Sequence, residues 1–162
     1  RELSAEDLRR DPWLAPVTVP TGAFGAGCPD RDLVVSPNHR VLVDHAMTDM
    51  LFAEDRVLVA AKFLSGGLAV PTEAGTGVAY NHLLFHDHEI VLANGLPSES
   101  LYPGPVALDA LDDTALAEIR ALFPEALDPD FDAPPAALIL RKFEADLLMR
   151  AMSKDDRAAR AA

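Results

Sequence analysis

Five histidines, one cysteine and a few polar turn residues hold most of the chemistry available to this 162-residue chain. His39 closes the tetrapeptide Ser36-Pro37-Asn38-His39, which lies between two apolar runs. Pro37 has no amide hydrogen, so the segment must leave a sheet ladder or run along its edge. A serine and a histidine are thereby presented at a bend between strands anchored in the core, and an imidazole there can exchange protons near neutral pH. The same pattern also suits an ordinary surface turn. His82, His86 and His88 fall within Tyr80-Asn81-His82-Leu83-Leu84-Phe85-His86-Asp87-His88-Glu89. An unbroken strand would put all three on one side, where neutral imidazoles can converge on zinc. A hairpin turn at His86-Asp87-His88 would break the alternation and leave solvated histidines instead. Cys28 is a nucleophile by type, yet its loop carries no flanking motif and reads as a connector. Hydrolase elbows, phosphate-binding loops and dinucleotide fingerprints are absent from the sequence.

The elements that must position these residues change character near Pro105. Before it, short β-branched runs alternate with turn residues: Val17-Thr18-Val19, Leu33-Val34-Val35, Val41-Leu42-Val43 and Val57-Leu58-Val59. A further strand pair is expected over Val78 to Phe85 and Glu89 to Ala93. Asn94-Gly95 follows, and both residue types tolerate the positive φ of a tight hairpin turn. Strands at this spacing predict an all-β sandwich or barrel-like fold over residues 12–105. After Pro105 the helical period takes over. Asp112 or Asp113 can cap a helix carrying Ala115, Leu116, Ile119 and Leu122. A Pro/Asp-rich linker from Pro124 to Pro135 precedes a second helix, Ala136 to Met152, with Leu140, Phe143, Leu147 and Ala151 on one face. Residues 106–162 thus read as a helical extension docked on the β body.

Composition removes several classes of function. Hydrophobic content is 49% and charged content 25%, which is ordinary for a folded globular chain. No apolar run approaches the ~18 residues of a membrane-spanning helix. Acidic residues outnumber basic ones 26 to 14, for a net charge of −12. Such a surface repels phosphate backbones, so nucleic acid is not an expected partner. A single cysteine excludes an internal disulfide and any multi-cysteine zinc site. The chain opens with Arg1 rather than Met, and the expectation is a piece of a longer protein.

Two blocks in order carry a family resemblance. Asp32-Leu33-Val34-Val35-Ser36-Pro37-Asn38-His39-Arg40-Val41-Leu42-Val43 and the stretch Tyr80 to Gly95 resemble the bacterial Hint domain, the Hedgehog/intein autoprocessing fold. The first is similar to the family block of Thr or Ser, two variable residues and then His. The second is similar to the late block, where a strand, a histidine and an Ala-Asn-Gly turn occur together. Val57 to Leu64 and Ala15 to Gly25 resemble the intervening and preceding segments of the same branch.

The resemblance implies a twisted, all-β horseshoe, incomplete here, followed by the helical extension. It implies single-turnover self-cleavage of the peptide bond before a Cys or Ser that opens the domain. An N-to-S or N-to-O acyl shift forms a thioester or ester, which water or another nucleophile resolves. By the same resemblance His39 serves the amide nitrogen, Ser36 hydrogen-bonds near the scissile bond and His88 is the histidine of the late block. His82 stands where many inteins carry Asp and would be a second acid or base. No cofactor is implied, and the substrate partner is the protein's own upstream polypeptide. The parent would be a bacterial, exported or cell-surface protein.

Nothing before Trp13 resembles the opening strand with its nucleophile, so the chain alone is expected to be inactive. The nucleophile is expected about 40–70 residues before His39, from ordinary strand and loop lengths. No intein ending follows Asn94-Gly95, so splicing is not expected. Two other classes compete: a degenerate, non-enzymatic Hint scaffold or secretion module, and a zinc hydrolase built on His82, His86 and His88.

Overall fold

The computed structural model describes residues 1–64, 66–72, 75, 77–102, 108, 111, 113–127 and 134–161. The β-branched runs become strands because their branched side chains lose little χ1 freedom in extended backbone and pack well on a pleated surface. In chain order the elements begin with β1 (Glu2–Leu3), α1 (Ala5–Arg10), β2 (Val17–Val19), β3 (Leu33–Val35) and β4 (Arg40–Asp44). Next come α2 (Ala46–Phe52), β5 (Arg56–Ala60), β6 (Val70–Pro71), β7 (Val78–Ala79), β8 (Ile90–Ala93) and β9 (Leu96–Glu99). After these come α3 (Asp113–Leu122), β10 (Leu138–Ile139) and α4 (Lys142–Ala161).

Three sheets result, with strand orders β10-β5-β4-β9-β8, β3-β2-β6 and β1-β7. β5 lies inside the largest sheet, and Val57, Leu58 and Val59 are each fully buried, which is why this run is apolar without alternation. Val57 and Val59 join Val41, Val43 and Leu96 in one core with Val19, Leu33 and Val35 from the second sheet. The hairpin between β8 and β9 turns on Asn94 and Gly95, with φ of 50° and 78°, the primed geometry expected of Asn-Gly.

β1 and β7 form a short ladder at the edge of the molecule. Glu2 faces Ala79 and Leu3 faces Val78; Arg1 and Tyr80 extend it through paired backbone bonds of 2.7 and 2.8 Å. Gly77 permits this approach: its φ is +92°, and a Cβ there would lie 2.6 Å from the Leu3 carbonyl oxygen. The ladder leads into α1, whose start carries a capping box. Ser4 Oγ accepts the Asp7 N–H, and the Asp7 carboxylate accepts the Ser4 N–H.

Two expectations are corrected. The stretch Val78 to Phe85 is not one long strand paired with Glu89 to Ala93. Only Val78–Ala79 is strand, its partner is β1, and β8 pairs with β9. The second correction concerns the second helix, expected from Ala136. Leu138–Ile139 instead forms β10, which lies parallel to β5 with Leu138 opposite Val57 and Ile139 opposite Leu58.

The helix proper starts at Lys142 and buries Ala145, Leu148, Met149 and Met152. Phe143 and Leu147, placed on its inner face by the spacing, are exposed. Both sets satisfy the same three-and-four spacing, and β10 sets which one turns inward. Leu140 is buried as expected, held by an N–H bond to the Leu58 carbonyl of 2.9 Å.

The first of the predicted helices is present as α3, and Ile119 is its buried residue. Pro124–Leu127, expected as linker, is a 3₁₀ turn. The switch point at Pro105, the capping candidate Asp112 and the linker from 128 to 133 lie outside the described residues. Among the described residues, no helix is long and apolar enough to cross a membrane.

Candidate active site

The Ser36–His39 tetrapeptide is a β-turn in which the His39 N–H donates to the Ser36 carbonyl at 3.1 Å. Pro37 occupies the second turn position, where its ring presets the required φ. The turn is tied down on its far side: Ala61 N–H donates to the His39 carbonyl at 2.8 Å and Lys62 N–H to the Pro37 carbonyl at 3.0 Å. Lys62 Nζ also reaches the Asn38 side-chain oxygen. The bend between β3 and β4 is therefore rigid, and it presents Ser36 and His39 from the end of the main sheet.

His39 has an unusual environment. Its Nε2 is buried with no hydrogen-bond partner, a condition few buried polar atoms in native proteins show. Burial pushes its pKa down to about 4, and the nearby charges of His82 and Arg40 add to the effect. At neutral pH the ring is uncharged. His82 is exposed at the surface, yet partial burial of its ring, followed by the Arg1 amino group, lowers its pKa.

The Tyr80 hydroxyl, two residues earlier, donates to the Leu14 carbonyl at 2.7 Å and fixes the start of this segment. Burial raises that phenol to about 12. A groove of about 440 Å³ opens beside His82, walled by Leu84, Leu101, Ile119 and Phe123.

His88 lies deeper. Its side chain is fully buried and packs on Tyr102, with ring centroids 4.8 Å apart. Nδ1 accepts the Ala136 N–H at 3.1 Å, so the hydrogen of the neutral ring resides on Nε2. Nε2 stands 3.5 Å from Glu99 Oε2 without hydrogen-bond geometry. Burial, followed by the Arg40 charge, lowers the His88 pKa, while the Ser100 backbone works against the shift.

Glu99 also carries Arg40: Oε1 accepts its backbone N–H at 2.9 Å and Oε2 its Nη1 at 2.7 Å. Burial raises the Glu99 carboxyl and Arg40 opposes that, a pairing that favours the ionised form.

Of the four residues singled out from sequence, the structure brings His39 and His82 within electrostatic range of each other, with Ser36 on the same turn as His39. His88 joins the group through Glu99 and Arg40, the residue after His39. His86 is exposed, beside Asp87. Among the described residues, no three His, Cys, Asp or Glu side chains are grouped to hold a metal ion.

Cys28 packs instead against the hairpin turn, its Sγ 3.5 Å from the Gly95 carbonyl. Asn94 is held there by Arg31 Nε and by the Asp32 carbonyl, each at 3.0 Å. His45 caps α2 at the opposite end of β4 from His39, its Nδ1 accepting the Met47 N–H.

Sequence reasoning missed Arg40 and Glu99. They sit 59 positions apart, and only the β4–β9 pairing through Val41 and Ser98 joins them.

This arrangement can take a proton onto a neutral, buried imidazole and release it readily, because an imidazolium in so dry a site is a strong acid. A family model described as the Hint domain matches residues 1–105. The match begins ahead of the boundary drawn at residue 12 and ends at residue 105. No curated protein and no solved structure matches the chain.

Proposed function

The chain belongs to the Hint domain family, and from that premise we propose that it supplies the proton-transfer part of a self-cleaving site. In the intact parent, the side chain of an upstream Cys or Ser attacks the carbonyl carbon of the residue before it. The new bond is a thioester or ester, and the carbon–nitrogen bond breaks. His39, neutral at working pH, accepts the thiol or hydroxyl proton and passes it to the departing amine nitrogen. His82 acts as the second acid or base, Ser36 donates near the scissile bond, and His88 supports the pair from within. Water or another nucleophile then takes the acyl group. The proposal includes the twisted horseshoe of the family, completed by the opening block, with residues 106–162 as its extension.

The observation that carries this reading is the unpartnered, buried Nε2 of His39, within electrostatic range of His82. Leaving a polar atom buried and unpaired costs about 1–3 kcal/mol, which a purely structural turn has no reason to retain. The β1–β7 ladder adds direction. Arg1 pairs with Tyr80, so in antiparallel register the residue before Arg1 in a longer chain would stand opposite Asn81, and the next opposite His82. The polypeptide to be cut would reach the site by this route.

The test is intact mass over time on the parent protein, with and without dithiothreitol. Two fragments meeting just before a Cys or Ser, in yield raised by thiol, are expected. One stable mass under both conditions would refute self-cleavage and favour the scaffold reading.

A further inference from the structure

Neither the sequence blocks nor the acyl-shift reading uses the Arg40–Glu99 pair. The Glu99 side chain is 8% exposed and that of Arg40 27%. Taking such a pair out of water is costly, and well-packed apolar replacements are often neutral or stabilising, so core stability alone does not account for it. Its position does. Arg40 is bonded directly to His39 along the chain, and the second Glu99 oxygen lies 3.5 Å from His88 Nε2.

We propose that Glu99 is a positioning residue for both histidines, gripping the strand start that carries His39 with one oxygen and facing the Nε2–H of His88 with the other. The role rests on the acyl-shift reading above. Three consequences follow from the contacts. The Arg40 N–H is held at 2.9 Å, which fixes the peptide plane leaving His39 and hence where its backbone stands. Ala136 N–H on Nδ1 sets the Nε2–H tautomer of His88, and the Glu99 carboxylate stands beside that Nε2–H. The carboxylate also offsets the Arg40 charge, which otherwise presses on both rings. The groups facing these rings are Arg40 and His82 for His39. For His88 they are Glu99, Arg40, the Tyr102 ring, the Ala136 N–H and the Ser100 backbone.

The test is histidine side-chain ¹⁵N NMR across pH on the 162-residue chain, as wild type and as Glu99→Gln. The amide variant keeps the shape but places neutral groups beside Arg40 and the His88 Nε2–H. The expected result is a shift of the His88 Nε2 resonance, with the Nε2–H tautomer kept by the Ala136 N–H, and a fall in the titration midpoints of both His39 and His88. A folded Glu99→Gln protein with wild-type His88 nitrogens and unchanged midpoints overturns the proposal.

Should Glu99→Gln fail to fold, Glu99→Asp keeps the charge and withdraws the carboxylate by one methylene. It is expected to move the His88 nitrogens while sparing the His39 midpoint, and wild-type His88 signals there overturn the proposal equally. In the parent, Glu99→Gln is expected to slow cleavage about tenfold or more, since small displacements of a catalytic group are costly. A parent that never cleaves while Glu99→Gln still shifts His88 overturns the acyl-shift reading and supports the positioning role.

Discussion

Replacing His39 with Gln keeps a polar side chain of similar reach and removes the titrating ring, so the variant isolates the linkage between the buried imidazole and folding. In the folded chain the His39 pKa is about 4, against 6.5 for a free histidine. The folded-state value is depressed, so between these limits the unfolded chain binds more protons, and stability falls as pH falls from 6.5 towards 4. The gap of about 2.5 units corresponds to about 3 kcal/mol in full. Between pH 7 and pH 4.5, just above the midpoint of the folded form, the loss is about 2 kcal/mol.

Urea unfolding of wild type and His39→Gln at these two pH values measures it. Carboxylates titrate in both proteins and cancel in the difference. Wild type is expected to lose about 2 kcal/mol more than the variant. Equal losses would refute the description of His39 as a buried, neutral base, and with it the main support for its catalytic role.

In the self-cleaving parent, His39→Ala should slow fragment formation about 10²-fold or more, the usual scale for losing a general acid or base; an undiminished rate by intact mass would remove His39 from the mechanism. Gly77→Ala drives a methyl group against the Leu3 carbonyl at a positive φ and should destabilise by about 1–3 kcal/mol. Hydrogen exchange should show faster opening at Leu3 and Ala79 than in wild type. Leu148→Ala should cost about 2–5 kcal/mol in urea unfolding, because Leu148 is fully buried in the common core. A loss below 1 kcal/mol would mean that α4 is a loosely attached appendage.

Local rules made much of this legible. Val17–Val19, Leu33–Val35 and the runs within β4 and β5 are strands because each is short, β-branched and bounded by turn residues. Asn94-Gly95 turns where its tolerance of positive φ says it should. His39 was legible through Pro37, which forces a bend.

What was not legible depends on partners distant in sequence. Leu138–Ile139 has no strand signature, and only the open flank of β5 draws it into the sheet. Phe143 and Leu147 fit a helical stripe as well as Ala145, Leu148 and Met149 do, so spacing alone could not choose between them. Glu99 lies in Leu96-Pro97-Ser98-Glu99-Ser100, which looks like a polar loop. Its role emerges only once β9 lies beside β4.

β10 also protects. A strand at the margin of a sheet offers a row of free N–H and C=O groups to any chain that can pair with it. Here Leu138–Ile139 occupies that margin beside Val57 and Leu58, and α4 covers the apolar surface next to it. Cutting the chain at residue 105, where the family match ends, would strip both away and leave one of the most hydrophobic strands of the molecule as an adhesive border. A trimmed version of this protein should therefore associate with itself through β5 before it reveals anything about its chemistry.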